Sequence, residues 1–176
     1  MILKFPLLSV MATCLLLFTS TASAEMPKHV RDALTKLEGE WKITTTIGEK
    51  TIEWELTCKW SPTKDAMVYS WEGPDYITQE PNTGTGIIGW DAAKQMAVEF
   101  ETEGDGTIFT ATHYISDKGE WTSPSKATGI TEDGPVYVEV QRAFVFEGDD
   151  VLVIHGKHRI INGKKEPNEK SVFKRK

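Results

Sequence analysis

The chain has 176 residues, 26% of them charged, with two cysteines and a formal net charge of −6. A net acidic chain repels phosphate backbones, which sets nucleic acid aside as a partner. The length fits one domain with a core of its own.

Lys4 is followed by an apolar run from Phe5 to Phe18, then by small residues ending in Ala22-Ser23-Ala24 before Glu25. This is the order of a secretory leader: charge, apolar stretch, small-residue cleavage site. The run is short for a bilayer span, which takes ~20 apolar residues. The expected organisation is a signal peptide over 1–24 and one mature domain over 25–176, exported to a periplasm or out of the cell, with no membrane span in the mature part. Cys14 sits in the apolar run, so the mature domain keeps only Cys58 and has no intrachain disulfide.

The first mature segment has helical spacing. Val30, Ala33, Leu34 and Leu37 share one face, Pro27 suits the first turn, and Gly39 marks a stop, which predicts a helix over 27–37. Beyond it the period changes to two. In 51–60, Ile52, Trp54, Leu56, Cys58 and Trp60 alternate with Glu53, Glu55, Thr57 and Lys59, a half-buried strand. Similar runs cover 41–47, 66–72, 86–90, 96–102, 107–115, 120–130, 136–147, 151–161 and 169–174. Short turns rich in Gly, Asn and Asp separate them, too short for parallel crossovers. A meander of about ten strands has exposed edges unless it closes. The predicted fold class is therefore all-β, an antiparallel up-and-down β-barrel of about 8–10 strands with a short N-terminal helix. A longer connection, 73–83, is a candidate lid over one mouth.

Gly39-Glu40-Trp41, opening the first strand after a short helix, resembles the Gly-x-Trp signature of the lipocalin and calycin barrels. The run from Gly84 to Lys94, Gly-Thr-Gly-Ile-Ile-Gly-Trp-Asp-x-x-Lys, is similar to a family of exported bacterial lipocalin-like domains of unknown function. The resemblance implies that Arg175 stacks on Trp41 and closes the barrel bottom. It brings no activity with it.

Candidate site residues come from strand parity. Val136, Val138, Val140, Phe144 and Phe146 share a face with Arg142. A guanidinium facing a barrel interior needs an anion: a ligand carboxylate or phosphate, or an inward acidic side chain. Pairing Phe146 with Leu152 and Phe144 with Ile154 sets Arg142 opposite Gly156 and turns His158 inward; the other register sets Arg142 opposite His155. Trp54, Tyr69 and Tyr114 are candidate ligand-contacting aromatics, while Trp60, Trp71 and Phe100 are core or cavity aromatics. Glu99 and Glu101 are expected outward as solvated strand surface, and Cys58 inward as inert filler. His155 and His158 fall on opposite strand faces, so no metal cluster is expected, and the Gly104-Asp105-Gly106 and Gly148-Asp149-Asp150 segments are read as ordinary turns. No nucleophile motif appears and no catalytic residue is assigned, which leaves enzymatic activity open but unsupported. The reading is an exported protein that binds a small amphipathic or anionic ligand inside its barrel, without a cofactor. The alternatives are a haem-binding barrel using an inward histidine, and an interaction protein whose barrel is filled with side chains.

Overall fold

The computed structural model describes residues 25–75 and 78–176. The expected leader over 1–24 lies outside the described residues.

Helix α1 (Lys28–Thr35) precedes β1 (Gly39–Ile47), β2 (Lys50–Trp60), β3 (Ala66–Pro74), β4 (Pro81–Asp91), β5 (Met96–Glu103), β6 (Ile108–Ile115), β7 (Trp121–Thr131), β8 (Gly134–Phe146), β9 (Val151–Ile161), β10 (Lys164–Lys165) and β11 (Glu169–Arg175). Every pairing is antiparallel. β1 to β9 pair in chain order, and β11 lies between β9 and β1. The short β10 pairs with the far end of β9, continuing the edge that β11 completes, so the sheet closes as a barrel of ten staves. Alternation built it: β1 buries Trp41, Ile43, Thr45 and Ile47 and turns the residues between them outward.

Three residues separate the end of α1 from Gly39. The glycine opens β1 with φ +130°, and a Cβ there would collide with the Arg175 guanidinium. The helix packs Val30 and Leu34 into the core and plugs one end of the barrel. Arg175 fastens that plug. Its guanidinium lies 4.2 Å from the Trp41 ring centroid, donates to the Glu38 carbonyl, and donates to the Lys36 and Asp149 carbonyls at 3.0 and 3.1 Å. Lys36 and Glu38 follow α1 and Asp149 belongs to the β8–β9 turn, so one side chain ties helix, first strand, last strand and hairpin together. Trp41 adds an indole donation to the Leu37 carbonyl at 2.8 Å. The surrounding floor is tightly packed around Ile43, Met67, Trp121, Leu152 and Phe173.

The β8–β9 register pairs Phe146 with Leu152, Phe144 with Ile154 and Arg142 with Gly156, as apolar matching predicts. Past Gln141 it shifts. His158 takes φ +53° and is exposed, while Arg159 turns inward and is buried. The expected inward His158 is therefore corrected: an extra residue in the strand reverses side-chain parity beyond it. Two other parities differ from expectation. Tyr114 is 52% exposed and Phe100 48% exposed, both outside, because β6 buries Phe109, Ala111 and His113 and β5 directs Ala97, Glu99 and Glu101 inward. The connection after β3 is shorter than expected, since Pro74 pairs with Pro81.

Candidate functional site

The barrel is hollow above its floor. A cavity of about 1260 Å³ extends from the packed floor to the end opposite α1. Its wall carries Trp54, Leu56, Trp71, Phe109, Val138 and Phe144 beside a girdle of charged and hydroxyl side chains. Asp75, Thr78 and Gln79, from the β3–β4 connection, line it at the mouth.

Two groups of long side chains reach their partners by crossing a glycine. Tyr69 on β3 stands opposite Gly86 on β4, which stands opposite Glu101 on β5. A Cβ on Gly86 would lie 2.3 Å from the Tyr69 hydroxyl, and one on Gly84 would lie 2.1 Å from Trp71 Nε1. Because both glycines lack one, the rings lie over β4. Tyr69 Oη then sits 2.5 Å from Glu99 Oε1 and 2.5 Å from Glu101 Oε2, while Trp71 Nε1 donates to Glu101 Oε1 at 2.7 Å. Across the barrel Gly156 separates Arg142 from Glu169, and its missing Cβ is the space through which Glu169 extends. Arg142 Nε donates to Glu169 Oε1 at 3.3 Å, and Arg159 Nε lies 3.9 Å from the other oxygen.

The sequence leaves open which anion Arg142 meets. The inward acidic side chain is Glu169, shared between two guanidiniums. Arg142 lies 4.8 Å from the Phe109 ring centroid, and its side chain stays 29% exposed within the cavity wall. Burial pulls its pKa down, but the negative charges of Glu169 and Glu99, joined by Glu101 whenever that is ionised, outweigh the burial and hold it above the ordinary arginine value.

The acidic residues of β5 follow different logics. Burial pushes Glu99 up, yet the hydrogen bonds it accepts from His113 and from the Tyr69 hydroxyl leave it below the ordinary carboxylate value. Glu101 is raised, by burial first and then by the charge of Glu99, against its hydrogen bonds with Tyr69 and Trp71. Glu103 is raised to about 8, by burial first and then by its acidic neighbours, Glu101 when ionised, Asp105 and Asp75. The carboxylates of Asp75, Glu103 and Asp105 come within 4.8 Å of one another at the mouth, a grouping the sequence does not announce because Asp75 is remote in the chain.

His113 was not singled out as a site residue from the sequence. It is buried, its Nε2 3.0 Å from Glu99 Oε2, and its Nδ1 accepts from Trp121 Nε1 at 3.0 Å. With both ring nitrogens engaged it offers no open ligand position. His158 faces out, and His155, half-buried between Ala143 and Lys170, does not line the cavity. Neither His155 nor His158 lines the cavity. Of the expected ligand contacts, Trp54, Tyr69 and Arg142 line the cavity together; Tyr114 and His158 do not. Trp54 donates to Thr45 Oγ1 at 3.0 Å and meets Trp71 edge-on at 5.8 Å. Cys58 is buried with its thiol pushed up to about 12, by burial first and then by the Glu99 charge. Among the described residues no helix is long and apolar enough to cross a membrane.

No family model matches the chain, and no curated protein does. Among solved structures, a redesigned beta barrel is similar at 12% identity over 82% of this chain and 95% of that one, with a TM-score of 0.43. Rv2717c from M. tuberculosis is similar at 12% identity over 82% of this chain and 96% of that one, with a TM-score of 0.51. At this identity the likeness to Rv2717c concerns the backbone alone: this chain has an antiparallel ten-stranded β-barrel fold with known structural neighbours.

Proposed function

We propose that this protein is exported and binds a small amphipathic molecule in its barrel, with the ligand's polar group at Arg142 and its apolar body against Trp54, Trp71, Phe109 and Val138. The observation that carries the reading is the state of Arg142. It borders a cavity of about 1260 Å³, keeps 29% of its side chain exposed, and uses only Nε in a hydrogen bond among the described residues. Its counter-ion Glu169 is shared with Arg159, so two guanidiniums draw on one carboxylate. A forked donor with open positions suits an oxyanion. Apolar walls with a few convergent polar groups are the usual build of a small-molecule site.

Native mass spectrometry of residues 25–176, recovered from an exporting host without detergent, tests the reading. A reproducible added mass that is lost in Arg142→Gln supports it. A bare polypeptide mass, together with no binding of amphiphiles added afterwards, sinks it.

A further inference from the structure

The girdle can be read as a count of protons. Tyr69 Oη lies 2.5 Å from Glu99 Oε1 and 2.5 Å from Glu101 Oε2. A phenol has one proton, so it donates to one carboxyl only. If both carboxyls were ionised, the second contact would press two oxygens together without a hydrogen between them. A second proton must therefore lie on one carboxyl.

The neighbours decide which. Trp121 Nε1 only donates, and its partner is His113 Nδ1 at 3.0 Å, so that nitrogen carries no hydrogen. His113 is then the neutral tautomer with its hydrogen on Nε2, pointed at Glu99 Oε2. Glu99 thus accepts from His113 and Tyr69 and keeps its charge. Glu101 is buried beside the charge of Glu99, on the same face of β5, and its own contact with Tyr69 is the one left without a hydrogen, so the second proton lies on Glu101. The chain then runs with every donor matched: Trp121 to His113, His113 to Glu99, Tyr69 to Glu99, Glu101 to Tyr69, Trp71 to Glu101.

We propose that Glu101 is a neutral carboxylic acid in the folded protein, and that the cavity binds a carboxylate ligand at Arg142 only while that proton is in place. The second half rests on the functional reading above; the first does not. The charged and titratable groups facing Glu101 are Tyr69 from β3, Glu99 and Glu103 from β5, and Arg142 from β8. Behind them stand His113 on β6, Arg159 on β9 and Glu169 on β11. With Glu101 neutral, and Glu103 neutral below its value of about 8, Arg142 and Arg159 balance Glu99 and Glu169, and a further anion can be accepted at Arg142. Ionising Glu101 adds a negative charge at the same girdle and repels the ligand. A carboxylate bound at Arg142 in turn raises the pKa of Glu101, so above the titration point of Glu101 binding takes up one proton from solution.

Infrared difference spectroscopy of the ligand-free protein at neutral pH tests the first half. The expected result is a protonated-carboxyl band that Glu101→Gln removes and Glu103→Gln leaves in part. A band unchanged by Glu101→Gln overturns the assignment. Dodecanoate and dodecanol test the second half. In a Glu103→Gln background, which removes the other titrating carboxyl of the girdle, dodecanoate affinity falls about tenfold per pH unit above the titration point of Glu101, and with Glu101→Gln added, whose amide keeps both hydrogen bonds, it is flat. Dodecanol binding is flat in both. Calorimetry of the Glu103→Gln variant with dodecanoate in two buffers of different ionisation heat reads the proton uptake at Glu101. Flat or rising dodecanoate affinity, or no uptake, overturns the coupling. If neither amphiphile binds while the band behaves as stated, the ligand reading fails and the proton assignment stands.

Discussion

Gly86→Ala puts the three-strand crossing under direct stress. The added methyl would lie 2.3 Å from both Cζ and the hydroxyl of Tyr69. Gly86 does not have a positive φ, so alanine is tolerated by the backbone itself and the whole effect must come from the collision. Tyr69 then has to leave its place over β4, taking its contacts with Glu99 and Glu101 with it. Hydrogen bonds to charged groups contribute roughly 1.5–3 kcal/mol and neutral ones roughly 0.5–1.5. Overpacking adds roughly 1–3 kcal/mol. The expected loss is about 3–6 kcal/mol, a large part of the ~5–15 kcal/mol that stabilises a typical domain. Gly89→Ala on the same strand is the control, because its Cβ would meet only Ala66 Cβ, at 3.9 Å; it should stay within about 1 kcal/mol of wild type. Urea unfolding followed by tryptophan fluorescence measures both. A double-mutant cycle with Tyr69→Ala isolates the contact, and in that background Gly86→Ala should cost less than about 1 kcal/mol. If Gly86→Ala costs no more than Gly89→Ala, or keeps its full cost without the Tyr69 ring, the crossing is not what requires glycine.

The remaining predictions concern charge and closure. Glu103 has a folded pKa raised to about 8 from an ordinary value of 4.5, so its favourable contribution is complete below 4.5 and is lost as pH rises through about 8. Glu103→Gln should therefore make the variant relatively more stable than wild type at pH 9 than at pH 5, as read by melting temperature, and an unchanged difference between the two pH values would contradict the mouth geometry. Arg175→Lys keeps the charge but loses the fork that spans the Lys36, Glu38 and Asp149 carbonyls; a loss of about 2 kcal/mol in denaturant unfolding is expected. Cys58, with its thiol at about 12, should resist iodoacetamide at pH 8 in the native state and react on unfolding; rapid native labelling would show that the floor opens.

Period and turn chemistry made most of the barrel legible before the structure. The strand runs were visible because one face of each is apolar, and the β8–β9 register followed from matching Phe146 and Phe144 to Leu152 and Ile154. The site was harder to read because it breaks that same rule. On β5 the apolar set Met96, Val98 and Phe100 pointed to one face as the interior, whereas the structure turns Glu99 and Glu101 in. The clue lay one strand away. Gly84 and Gly86 leave an empty row that only large neighbours can fill, and the hydroxyl and indole of Tyr69 and Trp71 need acceptors beyond that row. His113 shares parity with Phe109 and Ala111 and was readable by the same count. The positive φ of His158 carries no such signal, since a histidine in that conformation is set by the bulge around it. Arg142 was identified by parity alone; its acid, Glu169, was not, because it reaches over Gly156 from the final strand.

The position of β11 sets an order of events for a chain made from its N-terminus. β1 emerges first and pairs with β2, but its other edge has no partner until Ser171, Val172 and Phe173 arrive. β9 waits for the same segment. Until β11 is available, the molecule is an open sheet with two unpaired edges, and neither the Trp41–Arg175 clasp nor the Arg142–Glu169 pair can form. Closure is thus a late, long-range step that brings together residues more than 120 positions apart, as Thr45 and Ser171 do. A nascent chain of this design remains unclosed until β11 has been made.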